Sequence, residues 1–268
     1  MRTEVAAMLT AKGLFQEIID NDESFALFCS IAASGETQGG WENARIAALV
    51  APGMRDLTPK ITRHGADEDK HGRIFNALMR KRGLEPVPVP PDTDYTMLLE
   101  QRGIGLAHDK LRRDEPLSEQ DVIVYLAHSR VTEQRAADQM DMLVTYFGNH
   151  PELGKAIHMI DNDEANHLAY CHEELLRLAR AGHGRLIQRT LRESALVEIQ
   201  VYRDVSLAVM GHMGRILRWP KPKAAALALG IRGMYAYERA AGWHRMIGLK
   251  MPERLDALGG PATPAPAF

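Results

Sequence analysis

The sequence predicts an all-α fold, and three observations carry that prediction. Apolar residues recur at helical spacing through most of the chain, strand-like alternation of Val, Ile and Thr is scarce, and the periodic segments are bounded by residues that start and stop helices. With 268 residues, the chain is long enough to bury a substantial core.

In chain order, a short helix is expected over about 4–19, followed by a long one over about 24–50 that stops at Pro52-Gly53. Thr58 then reads as an N-cap with Pro59 at the first helical position, and Gly83 closes the second long helix. A proline-rich stretch from Glu85 to Asp94 precedes a shorter helix over about 95–110. Ser118 and Asp121 resemble a capping box with Asp in place of Glu or Gln, opening a third long helix that reaches about Phe147. Gly148-Asn149 breaks the chain, Pro151 restarts it, and the fourth long helix ends at Gly182. Two more helices are expected over about 185–218 and 223–247, separated by Trp219-Pro220-Lys221-Pro222. The reading is one domain over 1–250, with its principal bundle at 24–181, added helices at 185–247 and a flexible tail over 251–268.

Bulk properties narrow the function classes. Lys and Arg number 33 against 35 Asp and Glu, for a net charge of −2, so no uniform attraction to nucleic acid is implied. No segment resembles a secretion signal or a membrane span, and the two cysteines, Cys29 and Cys171, form neither a disulfide framework nor a CxxC. A cytoplasmic compartment is the expectation.

The chemistry lies in two Glu-x-x-His units, Glu68-Asp-Lys-His71 and Glu164-Ala-Asn-His167, whose members share one helix face. Roughly one such unit is expected by chance in a chain with 11 histidines, so the pair needs independent support. Spacing supplies it. Glu36 lies 32 residues before Glu68, and Glu133 lies 31 before Glu164. Residues at one height in an antiparallel hairpin are equidistant from its turn, and the two midpoints fall on Pro52 and on Gly148-Asn149. Each glutamate therefore stands about 24 Å from its turn, which brings all six side chains to one level. Asp67 and Asp163 precede the two units, and ligating histidines usually donate their second ring N–H to a carboxylate. The expected pairings are Asp67 with His167 and Asp163 with His71. Four carboxylates and two neutral imidazoles nearly balance two divalent ions, which makes a buried site tenable with metal present.

One Glu from each of two helices plus Glu-x-x-His from each of two others resembles the ferritin-like carboxylate-bridged diiron proteins. The Asp-Glu-x-x-His form is similar to ribonucleotide reductase small subunits, monooxygenase hydroxylases and acyl-carrier-protein desaturases. The resemblance implies a four-helix bundle, oxygen-activating oxidoreductase chemistry and two Fe ions, although a manganese–iron pair suits the same donors. It implies Glu36 and His71 on one metal, Glu133 and His167 on the other, and Glu68 and Glu164 bridging. A small organic or acyl substrate, O2 and an external electron donor complete the expectation.

The chain also departs from these relatives. Phe75 stands where reductase subunits carry a radical tyrosine, and Ala136 and Ala137 stand where hydroxylases carry a threonine. His64 lies one turn before Glu68, but the matching position before Glu164 is Ile160, so His64 is an extra candidate outside the ligand set. Cys29 and Cys171 read as small core residues, and Trp41, Tyr125 and Tyr170 as core aromatics with electron relay as the functional alternative. Gly35, Gly39 and Gly40 around Glu36 allow either a shifting carboxylate or close helix packing. Arg215, Arg218, Lys221 and Lys223 read as solvated charges of a surface loop, with a docking site for an acidic protein partner as the functional alternative, and the added helices offer a lid, a channel wall or a homodimer surface. Ferroxidase or iron-storage activity, a rubrerythrin-like peroxidase and a non-catalytic metal-binding protein are the competing readings.

Overall fold

Helix α1 (Ala11–Asp20) opens the part of the chain that the computed structural model describes, residues 10–249. Positions 1–9 and the expected tail at 251–268 lie outside the described residues. Among the described residues all regular structure is helical. The Thr10 side chain caps α1 by accepting from the Gly13 N–H at 3.1 Å. Asn21 caps α2 (Asp22–Leu49) in the same way, through the Ser24 N–H at 2.9 Å.

The chain then tightens into a 3-10 turn, Pro52–Leu57, that runs directly into α3 (Thr58–Lys81). Thr58 is therefore already helical and caps nothing, which corrects the expected N-cap: the preceding turn supplies the entry in its place. Gly83, at φ +69°, takes the left-handed conformation that ends α3. The helix expected over 95–110 is instead two short ones, α4 (Tyr95–Gln101) and α5 (His108–Leu111). Gly103 and Gly105 between them hold φ of +73° and +82°, which a continuous helix does not tolerate.

At the start of α6 (Glu119–Phe147) the capping box forms with aspartate as its acid. Asp121 Oδ2 accepts from the Ser118 N–H at 2.9 Å, and Ser118 Oγ accepts from the Asp121 N–H at 3.2 Å. Helix α7 (Gly154–Leu178) follows and leads through a π-type turn at Ala179–His183 into α8 (Gly184–Ile216). Gly182 marks the kink with φ +107°. The last predicted helix is also divided, into α9 (Lys221–Tyr237), a second π-type turn at Glu238–Gly242, and α10 (His244–Ile247).

Helix α2 packs along α3 and α6 along α7, with α3 facing α7. The α2–α3 contact is close because glycines line it. A Cβ on Gly65 would stand 3.0 Å from that of Asn43, and one on Gly40 would meet Asp69 Oδ1 at 2.5 Å and the Gly65 carbonyl at 3.2 Å. Close packing is thus what Gly40 serves. Residues 82–118 form one long crossover between the hairpins, and α8 doubles back along α6. Buried Arg135 fixes that return, its guanidinium forked on Glu198 and Glu238 at 2.8–2.9 Å.

Candidate metal centre

Four helices contribute to one buried cluster of acids and imidazoles, at the level the spacing predicts. Donor atoms of His64, Glu68, Glu133 and His167 lie within 4.8 Å of one another, and so do those of Glu36, His71 and Glu164. All six expected residues are therefore brought together. His64, which the sequence reading set aside, joins them: its Nε2 is 2.9 Å from Glu68 Oε1 and 3.2 Å from Glu133 Oε1. Only the tertiary contact with α6 reveals it, although a histidine one turn before Glu68 was the available signal.

The two Glu-x-x-His histidines are oriented alike. His71 turns Nδ1 toward Glu36 Oε2 at 3.2 Å and Glu164 Oε1 at 3.4 Å, and sets Nε2 3.1 Å from Asp163 Oδ2. His167 turns Nδ1 toward Glu68, Glu133 and Glu164 at 3.6–3.8 Å, with Nε2 3.5 Å from Asp67 Oδ2. Each Nδ1 thus faces carboxylates and each Nε2 faces the aspartate expected for it. Lys70 was not foreseen. Its ammonium lies 2.7 Å from Asp67 and 2.6 Å from Asp163, holding both aspartates at once. That Asp67–Lys70 spacing of one helical turn was visible in the sequence, but the reach to Asp163 on α7 was not.

The buried acids and imidazoles shift one another's ionisation in opposite directions. Burial, reinforced by Glu68, drives Glu36 well above the usual carboxylate range, and burial reinforced by Glu133 does the same to Glu164. Burial also pushes on Glu133 and Glu68, but His64 and His167 outweigh it at Glu133 and His64 outweighs it at Glu68, so both fall. At His167 burial is overcome by Asp67, Glu133 and Glu164, and the imidazole rises well above its ordinary value.

The donor set fits divalent ions. Ligands about 2.1 Å from one ion stand roughly 3–4.2 Å apart, depending on whether they are at right angles or opposite. The carboxylate distances from the two Nδ1 atoms fall in that interval. His167 Nδ1, the nitrogen that faces the carboxylates, is moreover buried with no hydrogen-bond partner; behind it, Nε2 and Asp67 Oδ2 face each other at 3.5 Å without a hydrogen bond. A buried donor set whose polar atoms are left over in this way is what a metal completes.

What lies above and below this layer differs. Phe75, one turn after His71, and Ile160, one turn before Glu164, line a small apolar cavity of about 40 Å3 together with Cys29, Phe28, Met140 and Phe147. Burial pushes the Cys29 thiol up to about 12, so it is an unreactive lining residue. Cys171, one turn after His167, does not reach this cavity but packs in the core cluster of Leu126, Leu175 and Ile199. Because α7 runs opposite to α3, a residue following His167 lies on the other side of the donors from one following His71. On that side Tyr170 and Tyr125, both buried, form hydrogen bonds, while Trp41 packs edge-on against His108 at 5.2 Å.

The basic cluster is smaller than its sequence suggests. Lys223 is buried and bonded to Glu17 at 2.6 Å, and Trp219 Nε1 donates to the same carboxylate, so Arg215, Arg218 and Lys221 alone are exposed. No helix among the described residues is long and apolar enough to cross a membrane. Comparison with protein-family models, curated proteins and solved structures yields no match.

Proposed function

We propose that this chain is a ferritin-like dimetal oxidase, which binds two iron-class ions through Glu36, Glu68, His71, Glu133, Glu164 and His167 and uses them to activate O2. One observation carries the reading: four carboxylates converge within a buried layer on two imidazoles whose far nitrogens are directed at Asp67 and Asp163. Two divalent ions would neutralise the four carboxylates, whose ion pairs among the described residues are with His64, His71 and His167. The single long crossover between the hairpins supports the ferritin-like reading, because that topology distinguishes it from a simple up-and-down bundle.

Bound ferrous ions supply the electrons that reduction of dioxygen requires, and the Lewis acidity that polarises it. The chain's own contribution is placement. Asp163, hydrogen-bonded to His71 Nε2 at 3.1 Å, keeps the hydrogen there so that this imidazole presents Nδ1 inward, and Asp67 faces His167 Nε2 at 3.5 Å in the same sense. Lys70 bridges those aspartates, and at Asp67 the neighbouring His167 and then Lys70 overcome burial to keep the carboxyl well below its usual range. Phe75, Ile160 and Phe147 keep water from one face of the layer. At about 40 Å3 the cavity they enclose is close to the volume of one small molecule and far below the roughly 300 Å3 of a substrate pocket. It suits a small apolar guest such as O2 rather than an acyl chain.

Anaerobic loading with ferrous iron followed by a pulse of oxygen tests the proposal. Two irons per chain should be oxidised together in one rapid phase, read by stopped-flow absorption and Mössbauer spectroscopy. Uptake far beyond two per chain would make it a storage protein, and an inert diferrous form would leave only a structural metal site.

A further inference from the structure

The seventh member of the cluster, His64, is held in an unusual way. Its Nδ1 lies 2.8 Å from Tyr170 Oη, Tyr170 Oη lies 2.6 Å from Tyr125 Oη, and Tyr125 donates to Asn43 Oδ1 at 2.6 Å. The Asn43 amide is anchored in turn, because its Nδ2 donates to the Gly39 carbonyl at 3.1 Å. The side chains of His64, Tyr170, Tyr125 and Asn43 are all buried.

The donors and acceptors can be assigned one after another. Asn43 must point Nδ2 at the Gly39 carbonyl, since a flipped amide would set two oxygens against each other. Asn43 Oδ1 therefore faces Tyr125, and the one Tyr125 hydrogen is used there. The contact between the tyrosines then needs the Tyr170 hydrogen. Tyr170 Oη is left only as an acceptor toward His64, so His64 Nδ1 carries a hydrogen. In the neutral imidazole that places the lone pair on Nε2, the atom facing Glu68 and Glu133. A chain that begins at an anchored backbone carbonyl on α2 thus fixes a tautomer on α3.

Resting on the dimetal reading above, we infer that the two metal positions are inequivalent. His64 completes a four-donor position with Glu68, Glu133 and His167, and the hydrogen-bond chain through Tyr170, Tyr125 and Asn43 presents its Nε2 for that purpose. Glu36, His71 and Glu164 form a three-donor position. The ligand class is a divalent first-row metal ion, for which two imidazoles and two carboxylates make the stronger site. The four-donor position fills first. Tyr170 acts as a positioning residue, through His64.

Titration of the metal-free protein with cobalt(II), followed by visible absorption and calorimetry, separates the outcomes. Wild type should take two equivalents in two resolved steps, the first at least about tenfold tighter than the second. His64→Ala should weaken the first step by roughly 10–100-fold and leave the second unchanged, and Tyr170→Phe should weaken the first about tenfold. Long-range proton–nitrogen NMR spectra of the zinc-loaded wild type should show the His64 hydrogen on Nδ1, a readout that general loss of packing does not mimic and that needs no variant. Two steps of equal affinity, unchanged steps in both variants, or a hydrogen on His64 Nε2 in the zinc-loaded protein would each overturn the inference while leaving the dimetal reading intact. A wild-type chain that takes up no metal would instead remove the dimetal reading itself.

Discussion

The two sides of the donor layer are built from the same four helices and share nothing else. On one side, one to two turns beyond the ligands, stand Phe75, Ile160, Cys29 and Met140, which line an apolar cavity. On the other, Tyr170, Tyr125 and Asn43 fill the interior with a continuous hydrogen-bonded chain that ends on His64. The difference teaches how one layer of ligands acquires a direction. The apolar side is lined by apolar side chains and one buried thiol, whereas the polar side adds an imidazole and fixes its hydrogen. Near-symmetry in the ligands, two Glu-x-x-His units with their preceding glutamates, therefore coexists with strong asymmetry in what surrounds them.

That contrast can be broken or sharpened by substitution. The largest effect is expected from Glu68→Ala and His167→Ala, which remove donors from the four-donor group: stoichiometric uptake of two metals should be lost, as measured by elemental analysis after equilibrium dialysis. Retention of two ions by both variants would sink the ligand assignment. Next in size is Arg135→Met, which leaves the buried carboxylates of Glu198 and Glu238 without their shared guanidinium. Stability in urea should fall by about 3–5 kcal/mol, with metal stoichiometry unchanged, because this network clamps α8 and the turn that follows α9 outside the layer.

Ile160→Ala tests the apolar side. Truncating a residue only 3% exposed should cost about 2–4 kcal/mol and enlarge the cavity, again without altering metal affinity. A change in the first cobalt step on this substitution would mean that the two sides are not independent. Tyr125→Phe is the smallest change and the complementary one. It leaves Asn43 Oδ1 and the Tyr170 hydroxyl short of a partner, for a cost of about 1–3 kcal/mol, and unlike Ile160→Ala it should weaken the first metal step.

Much of this was legible in the chain. The four long helices, the turns at Pro52 and Gly148, the capping box at Ser118 and the convergence of the six donors all follow from local rules, and the pairings of Asp67 with His167 and Asp163 with His71 extend them across the bundle. The local misreadings also have local reasons. Thr58 lost its capping role to a 3-10 turn, and the helix expected over 95–110 was broken by two glycines at positive φ. Lys223 looked like surface charge until Glu17, more than 200 positions away in the chain, was found against it.

What the sequence by itself determined is the axial position of every donor, because an α-helix advances by a constant rise per residue and a turn can be located from its breakers. What only the tertiary structure decided is which way each helix runs through the layer. That direction depends on the long crossover at 82–118, which delivers α6 parallel to α3 and α7 antiparallel to it. A turn forward from His71 thus leads to Phe75 and the cavity, while a turn forward from His167 leads to Tyr170 and the hydrogen-bond chain. Helical periodicity is identical in both directions, so spacing alone could not tell the two sides apart.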